Sequence, residues 1–156
     1  MAYGDVVKLD VGIIRDGWIG DTAMSVPVGL IDPDLERLLT ATEQILDGAV
    51  ELARPGNRIG DISFYVEDQA HKQGYSVVRE FVGHGVGRQL HEDPQVPNFG
   101  KRGSGPKLKA GMTIAIEPMI NMGKAKVRVL ADKWTAVTED GLPSAHFEHT
   151  VLVTDS

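Results

Sequence analysis

The chain has no cysteine. That excludes disulfides, thiolate metal sites and a cysteine nucleophile. It also lacks any run of about 18 apolar residues, so no helical membrane span is predicted. Basic residues are in deficit: 16 Lys and Arg stand against 22 Asp and Glu, for a formal net charge of −6. Nucleic acid and anionic membranes are bound through basic surface, so DNA and membrane are not expected as partners. The opening segment MAYGDVVKLD carries neither a basic stretch nor an apolar signal core, which leads us to expect a cytoplasmic protein. No repeat or linker divides the sequence. Residues 1–156 read as a single domain long enough to bury a real core.

What the chain does have is acid inside apolar stretches. Asp10 interrupts VVKLDVGII, Glu117 interrupts TIAIEPMI and Glu148 sits within SAHFEHTVLV. A carboxylate in such a stretch is unfavourable unless a cation is near, and no buried Lys or Arg is expected there. Residues 6–14 read as a strand, Asp16-Gly17 as a two-residue hairpin turn, and residues 18–28 as the returning strand. Pairing Arg15 with Trp18 puts Gly12 opposite Asp21. Asp10 and Asp21 then become diagonal neighbours on one face, close enough to share a cation.

Asp32-Pro33 predicts a helix start. Leu35, Leu38, Leu39, Thr42, Ile45, Leu46, Ala49 and Leu52 follow at helical spacing. A second helix is predicted over residues 59–73, with Gly74 just past its end. Strands are predicted at 76–82, 113–122 and 144–154, with a meander through 127–129 and 135–137. A Gly-rich loop is predicted over 83–94 and a solvated polar loop over 101–111. The order gives an α+β fold, with helices covering one face of a curved antiparallel sheet. Alternation in the last strand sets Ser144, His146, Glu148 and Thr150 on one face, opposite Phe147 and His149. His146, on the Glu148 face, can approach the site but is given no catalytic role; His149 reads as packed or as supporting a ligand, and His71 as solvated. Four carboxylates and one imidazole, His84, suit first-row divalent ions, and bridging carboxylates in that number suit a pair of them.

Five segments in order carry a resemblance: Leu9-Asp10-Val11; Gly20-Asp21-Thr22; Gly83-His84-Gly85-Val86-Gly87-Arg88 followed by Leu90-His91-Glu92-Asp93-Pro94; Ile116-Glu117-Pro118-Met119; and Phe147-Glu148-His149-Thr150. Together they resemble the type I methionine aminopeptidases over nearly the whole chain. The resemblance implies the pita-bread fold, here lacking the family's N-terminal segment and so a partial catalytic domain. It implies two divalent ions (Co, Mn, Fe or Zn), with Asp10 on the first, Asp21 and Glu148 bridging, and His84 and Glu117 completing the second. It further implies hydrolysis by water activated between the ions, Glu117 as proton shuttle, and His91 as donor to the developing oxyanion.

Trp134 matches an aromatic that helps wall the methionine pocket, although it reads equally as core. Leu90 stands where many relatives carry an aromatic. The expected function is release of N-terminal methionine from nascent proteins. Expected partners are the nascent polypeptide's N-terminus, and the ribosome or the missing N-terminal half. An Xaa-Pro peptidase of the same fold is the alternative, with Arg88 and Met119 favouring the methionine enzymes. A non-catalytic metal-binding or interaction fragment is another. Without its counterpart the half-fold should leave an apolar sheet face uncovered, which predicts self-association or low stability.

Overall fold

The computed structural model describes residues 1–155. Strands β1 (Val6–Arg15) and β2 (Trp18–Pro27) form the opening hairpin. Its register runs Arg15 to Trp18, Gly12 to Asp21 and Asp10 to Ala23, as the turn chemistry predicts. Asp16 and Gly17 both have positive φ, 52° and 76°, the conformation of a turn whose twist matches its flanking strands.

Helix α1 (Pro33–Val50) begins where predicted: the Asp32 side chain accepts a hydrogen bond from Asp34 N, satisfying one of the first turn's free donors. Helix α2 (Ile59–Lys72) is held at its start by Asp61, which accepts from Arg58 N at 2.8 Å. Gly74 follows it with φ 81°. The helices bury one stripe each, including Leu38, Ile45 and Leu46 of α1 and Ile62 and Val66 of α2. These pack into one cluster with Ile114, Ile116, Ile120, Phe147 and Val153 from the sheets.

The remaining strands are β3 (Ser76–Val77), β4 (Val82–Gly85), β5 (Glu92–Pro97), β6 (Thr113–Ile116), β7 (Met119–Asn121), β8 (Val127–Val129), β9 (Ala136–Thr138), β10 (Ser144–His146) and β11 (Glu148–Leu152). All their pairings are antiparallel. A six-stranded sheet has the order β1-β2-β11-β6-β4-β5, a three-stranded sheet the order β10-β7-β3, and β8-β9 is a separate ribbon.

Four predicted elements are corrected. The strand expected over 113–122 breaks at Glu117-Pro118, and that over 144–154 breaks at Phe147. At both breaks the chain leaves one sheet for the other. Pro118 has no N–H to give to a ladder, and its carbonyl accepts instead from Phe147 N at 3.4 Å. The strand expected over 76–82 is strand only at β3 and again from Val82, and the segment expected to be a Gly-rich loop supplies most of β4 and the start of β5. Its glycines serve close strand approach. A Cβ at position 83 would overlap the Ala115 carbonyl oxygen, and one at 85 the Asp93 carbonyl.

Two side chains also depart from expectation. His149 is exposed rather than packed. Trp134, read as pocket wall or core, is 89% exposed. It sits in the β8–β9 connection, which folds on itself: Asp132 accepts from Trp134 N, Thr135 N and Thr135 Oγ1. The ribbon pairs only with itself, so among the described residues no surface receives the indole. The face of the β1–β2 hairpin opposite Asp10 carries Leu9, Val11, Ile13 and Met24, all largely exposed, which is the uncovered apolar face expected.

Candidate metal centre

The two sheet-switching breaks meet the opening hairpin at one place. Ladder pairing between β11 and β2 is only two residues long, Glu148 to Ala23 and His149 to Thr22. Hydroxyls reinforce it. Thr150 Oγ1 accepts from Asp21 N at 2.8 Å and donates to Asp21 O at 2.7 Å. Thr22 Oγ1 donates to Glu148 O at 2.9 Å, and Ser25 Oγ to His146 O at 2.9 Å. These bonds fix the backbones of Asp21 and Glu148 against each other, and with them the directions of two carboxylates. The tip of the hairpin is tied to the segment after His84 by Ile19 N donating to Gly87 O at 2.8 Å and by the Arg88 guanidinium over the Trp18 ring, 3.8 Å from its centroid.

The result is a cavity of about 320 Å³ lined by Asp10, Asp21, His84, His91, Glu117 and Glu148, with Glu80, Phe81 and Val82 at its side. Ligand atoms of Asp21, His84 and Glu148 all lie within 4.8 Å of one another. His84 Nε2 is 3.8 Å from Asp21 Oδ2 and 3.5 Å from Glu117 Oε1. Asp10, the most open of the acids, lines the same cavity from β1. Each of the five sequence-predicted ligands is therefore brought to one place. His91 is exposed, with its ring edge-on to that of His84 and centroids 4.4 Å apart. Leu90 hangs over β1: a Cβ at position 12 would lie 3.7 Å from its Cδ1. Trp134 is not among the residues that line this cavity.

Sequence reasoning missed Glu80 and Phe81; it set His146 on the Glu148 face and near the site, and the structure adds its approach to Glu117, where Nε2 and Oε2 are 3.7 Å apart. Glu80 and Phe81 stand directly before the Gly-rich run, so their position on the cavity becomes apparent only once β4 is recognised as a strand.

The electrostatics of this cluster are unfavourable without cations. Burial, then the charges of Glu148, Asp21 and Asp10, push the Glu117 carboxyl up to about 9. Burial, then Asp21 and Asp10, push Glu148 up to about 8. Burial pushes His146 down to about 4, with Lys8 adding to the effect and Asp10 opposing it.

Two observations fit the cluster to a metal. Glu148 Oε1 is buried with no hydrogen-bond partner, an arrangement a structure tolerates when a cation is the intended partner. His84 Nδ1 lies 2.9 Å from the Gly85 carbonyl oxygen. A carbonyl can only accept, so Nδ1 carries a hydrogen; in the neutral ring, the form that ligates a metal, the lone pair is then on Nε2 and faces the carboxylates.

An α+β fold whose sheet junction gathers acids and one oriented imidazole has the donor set of a metal centre, and the chain belongs to metallopeptidase family M24, whose model matches residues 1–155. It is 48% identical over 153 residues to methionine aminopeptidase 1 of Bacillus subtilis, covering 98% of this chain and 62% of that protein. The crystal structure of methionine aminopeptidase from Thermotoga maritima matches with a TM-score of 0.96 at 47% identity, covering 98% of this chain and 61% of that one. A prolidase from Pyrococcus furiosus matches with a TM-score of 0.74 at 24% identity over 98% of this chain and 40% of its own, a likeness of fold alone. The architecture is the pita-bread fold of this family. The chain spans about three fifths of the length of the methionine aminopeptidases it matches. No helix among the described residues is long and apolar enough to cross a membrane.

Proposed function

We propose that residues 1–156 carry the metal centre of a cytoplasmic aminopeptidase that releases methionine from the N-termini of new polypeptides. The observation that carries the reading is the convergence of Asp21, His84 and Glu148 within 4.8 Å, with Glu117 beside His84 and Asp10 in the same cavity. The choice of methionine over other substrates is supported by the 48%-identical relative named for that activity.

In this reading Asp10, Asp21 and Glu148 would hold one divalent ion, and Asp21, Glu148, His84 and Glu117 would hold a second. Bound there, a pair of Mn, Co, Fe or Zn ions would polarise the scissile carbonyl and supply a nucleophile at neutral pH. The chain's own groups do the rest. Glu117 takes the proton from the attacking water and hands it to the departing amine. His91, exposed beside His84, donates to the carbonyl oxygen as charge develops on it. The substrate's free α-amine would bind at the metal centre, which would limit cleavage to the first residue. Leu90 lies on the hairpin side of the site and contacts the substrate there.

The test is to supply Mn or Co to the purified chain and follow free methionine from a Met-Ala peptide beside an Xaa-Pro peptide. Methionine release supports the proposal. Cleavage confined to the Xaa-Pro peptide would transfer the site to the proline-directed enzymes. Bound metal with neither peptide cleaved would favour a non-catalytic metal-binding module.

A further inference from the structure

His146 stands outside the ligand set, yet the fold goes to some length to place it. It ends β10, where it pairs with Met119 of β7. Its backbone is held from the other sheet by a reciprocal pair of hydrogen bonds: His146 N donates to Ser25 Oγ at 3.0 Å, and Ser25 Oγ donates to His146 O at 2.9 Å. Its side chain is 12% exposed. Nε2 is fully buried with no hydrogen-bond partner, which is unfavourable for an imidazole nitrogen unless a partner completes it.

The group Nε2 faces is the Glu117 carboxylate. Oε2 of that carboxylate is 3.7 Å from His146 Nε2, while Oε1 is 3.5 Å from His84 Nε2. The two oxygens thus point to different histidines. With His84 neutral, as a metal ligand must be, its Nε2 carries a lone pair and does not donate. No hydrogen bond fixes the His146 tautomer, so its hydrogen is free to sit on Nε2.

We infer that His146 is a positioning residue for Glu117: its Nε2–H donates to Oε2 and so reserves Oε1 for the cation held beside His84. The inference rests on the metal-centre reading above. A ligating carboxylate with one oxygen tethered has a single orientation open to it, and losing such a tether typically weakens metal affinity about 10- to 100-fold. A difference of a few tenths of an ångström separates the present 3.7 Å from a hydrogen bond, and drawing Oε1 towards a cation is a movement of that size.

The test uses Mn(II) titration calorimetry on the full chain, on His146→Leu, which keeps bulk and loses the donor, and on His146→Gln, whose amide restores one. The parent is expected to bind Mn(II), His146→Leu to bind at least one ion about 10- to 100-fold more weakly, and His146→Gln to recover most of that loss. A purely packing role would not be rescued by glutamine. In parallel, 15N-histidine spectra of the Zn(II)-loaded parent require no variant: His146 Nε2 should show the signal of a protonated ring nitrogen. Equal affinity in parent and His146→Leu, or an unprotonated Nε2 in the loaded protein, overturns the inference and leaves the metal centre standing. Failure of the parent to bind Mn(II) overturns both.

Discussion

Glu148→Gln should stabilise this protein when metal is withheld and weaken it when metal is supplied. Glu148 is 2% exposed, and its carboxyl is pushed from 4.5 up to about 8 by burial and by Asp21 and Asp10. The folded-state value lies above the unfolded one. Between pH about 4.5 and about 8 the folded chain therefore keeps a proton that the unfolded chain has released, and stability falls as pH rises through that window. A tenfold difference in proton affinity between the folded and unfolded chain corresponds to about 1.4 kcal/mol. By pH 7.5 this carboxyl alone therefore opposes folding by on the order of 4 kcal/mol. Glu117, raised for the same reasons, acts in the same direction. His146, lowered from 6.5 to about 4 by burial, acts against both, since what its neutral ring contributes is lost as pH falls from about 6.5 towards 4, but its smaller shift does not outweigh the two carboxyls.

The amide of Glu148→Gln has the same shape and no proton to lose. In chelator at pH 7.5 its melting temperature should exceed the parent's by about 10 °C, taking about 2–4 °C per kcal/mol for a chain of this size. At pH 4.5 the two should nearly coincide. With Mn(II) present the order should reverse, since the parent then gains binding energy that the variant has lost. Asp132 and Asp140 are lowered by hydrogen bonds: for Asp132 from the Thr135 hydroxyl and backbone N–H groups, for Asp140 from backbone N–H groups. What they contribute is lost only as pH falls below about 4, outside this window. The assay is differential scanning fluorimetry across pH 4.5–8 in chelator and in Mn(II). A metal-free parent that melts higher at pH 7.5 than at pH 5, or a Glu148→Gln that melts below the parent in chelator at pH 7.5, would refute the electrostatic reasoning.

Gly83→Ala should lower the melting temperature by several degrees, equivalent to about 1–3 kcal/mol, because the added methyl meets the Ala115 carbonyl oxygen rather than a flexible side chain; an unchanged melt would mean β4 and β6 are not packed as described. Val11→Lys, on the uncovered hairpin face, should suppress a concentration-dependent rise in light-scattering mass that the parent is expected to show. A parent that stays monomeric and melts sharply contradicts that expectation. His91→Ala should leave Mn(II) affinity unchanged and lower the rate of methionine release about 100-fold; an unchanged rate would remove His91 from the reaction.

Local signals in the sequence are legible where one physical rule dominates. The Asp16-Gly17 turn sets the register of β1 and β2 residue by residue, and Asp32-Pro33 sets the start of α1. The metal-centre residues stand out because charge in an apolar stretch has few explanations, and the ordered motifs narrow them further. The breaks at Pro118 and Phe147 are less legible: apolar residues resume directly after Glu117-Pro118 and flank Glu148 closely, and only the pairing of β7 and β10 in a second sheet shows that the chain changes partner. The glycines around His84 mislead for a similar reason. Glycine marks loops and close backbone approach alike, and the neighbours that decide between them, Ala115 and Asp93, are distant or on another strand. Resemblance assigns Trp134 to a surface that these residues do not supply.

The central claim is that the acids of the opening hairpin and of the two sheet breaks meet to hold divalent cations. Mn(II) titration calorimetry of the parent beside Asp21→Ala addresses it most directly, because Asp21 contributes to the three-residue group and is anchored by Thr150 on both sides of its backbone. The account predicts two ions bound per parent chain and loss of tight binding in Asp21→Ala. Identical isotherms for the two proteins, or no heat from either, would contradict it.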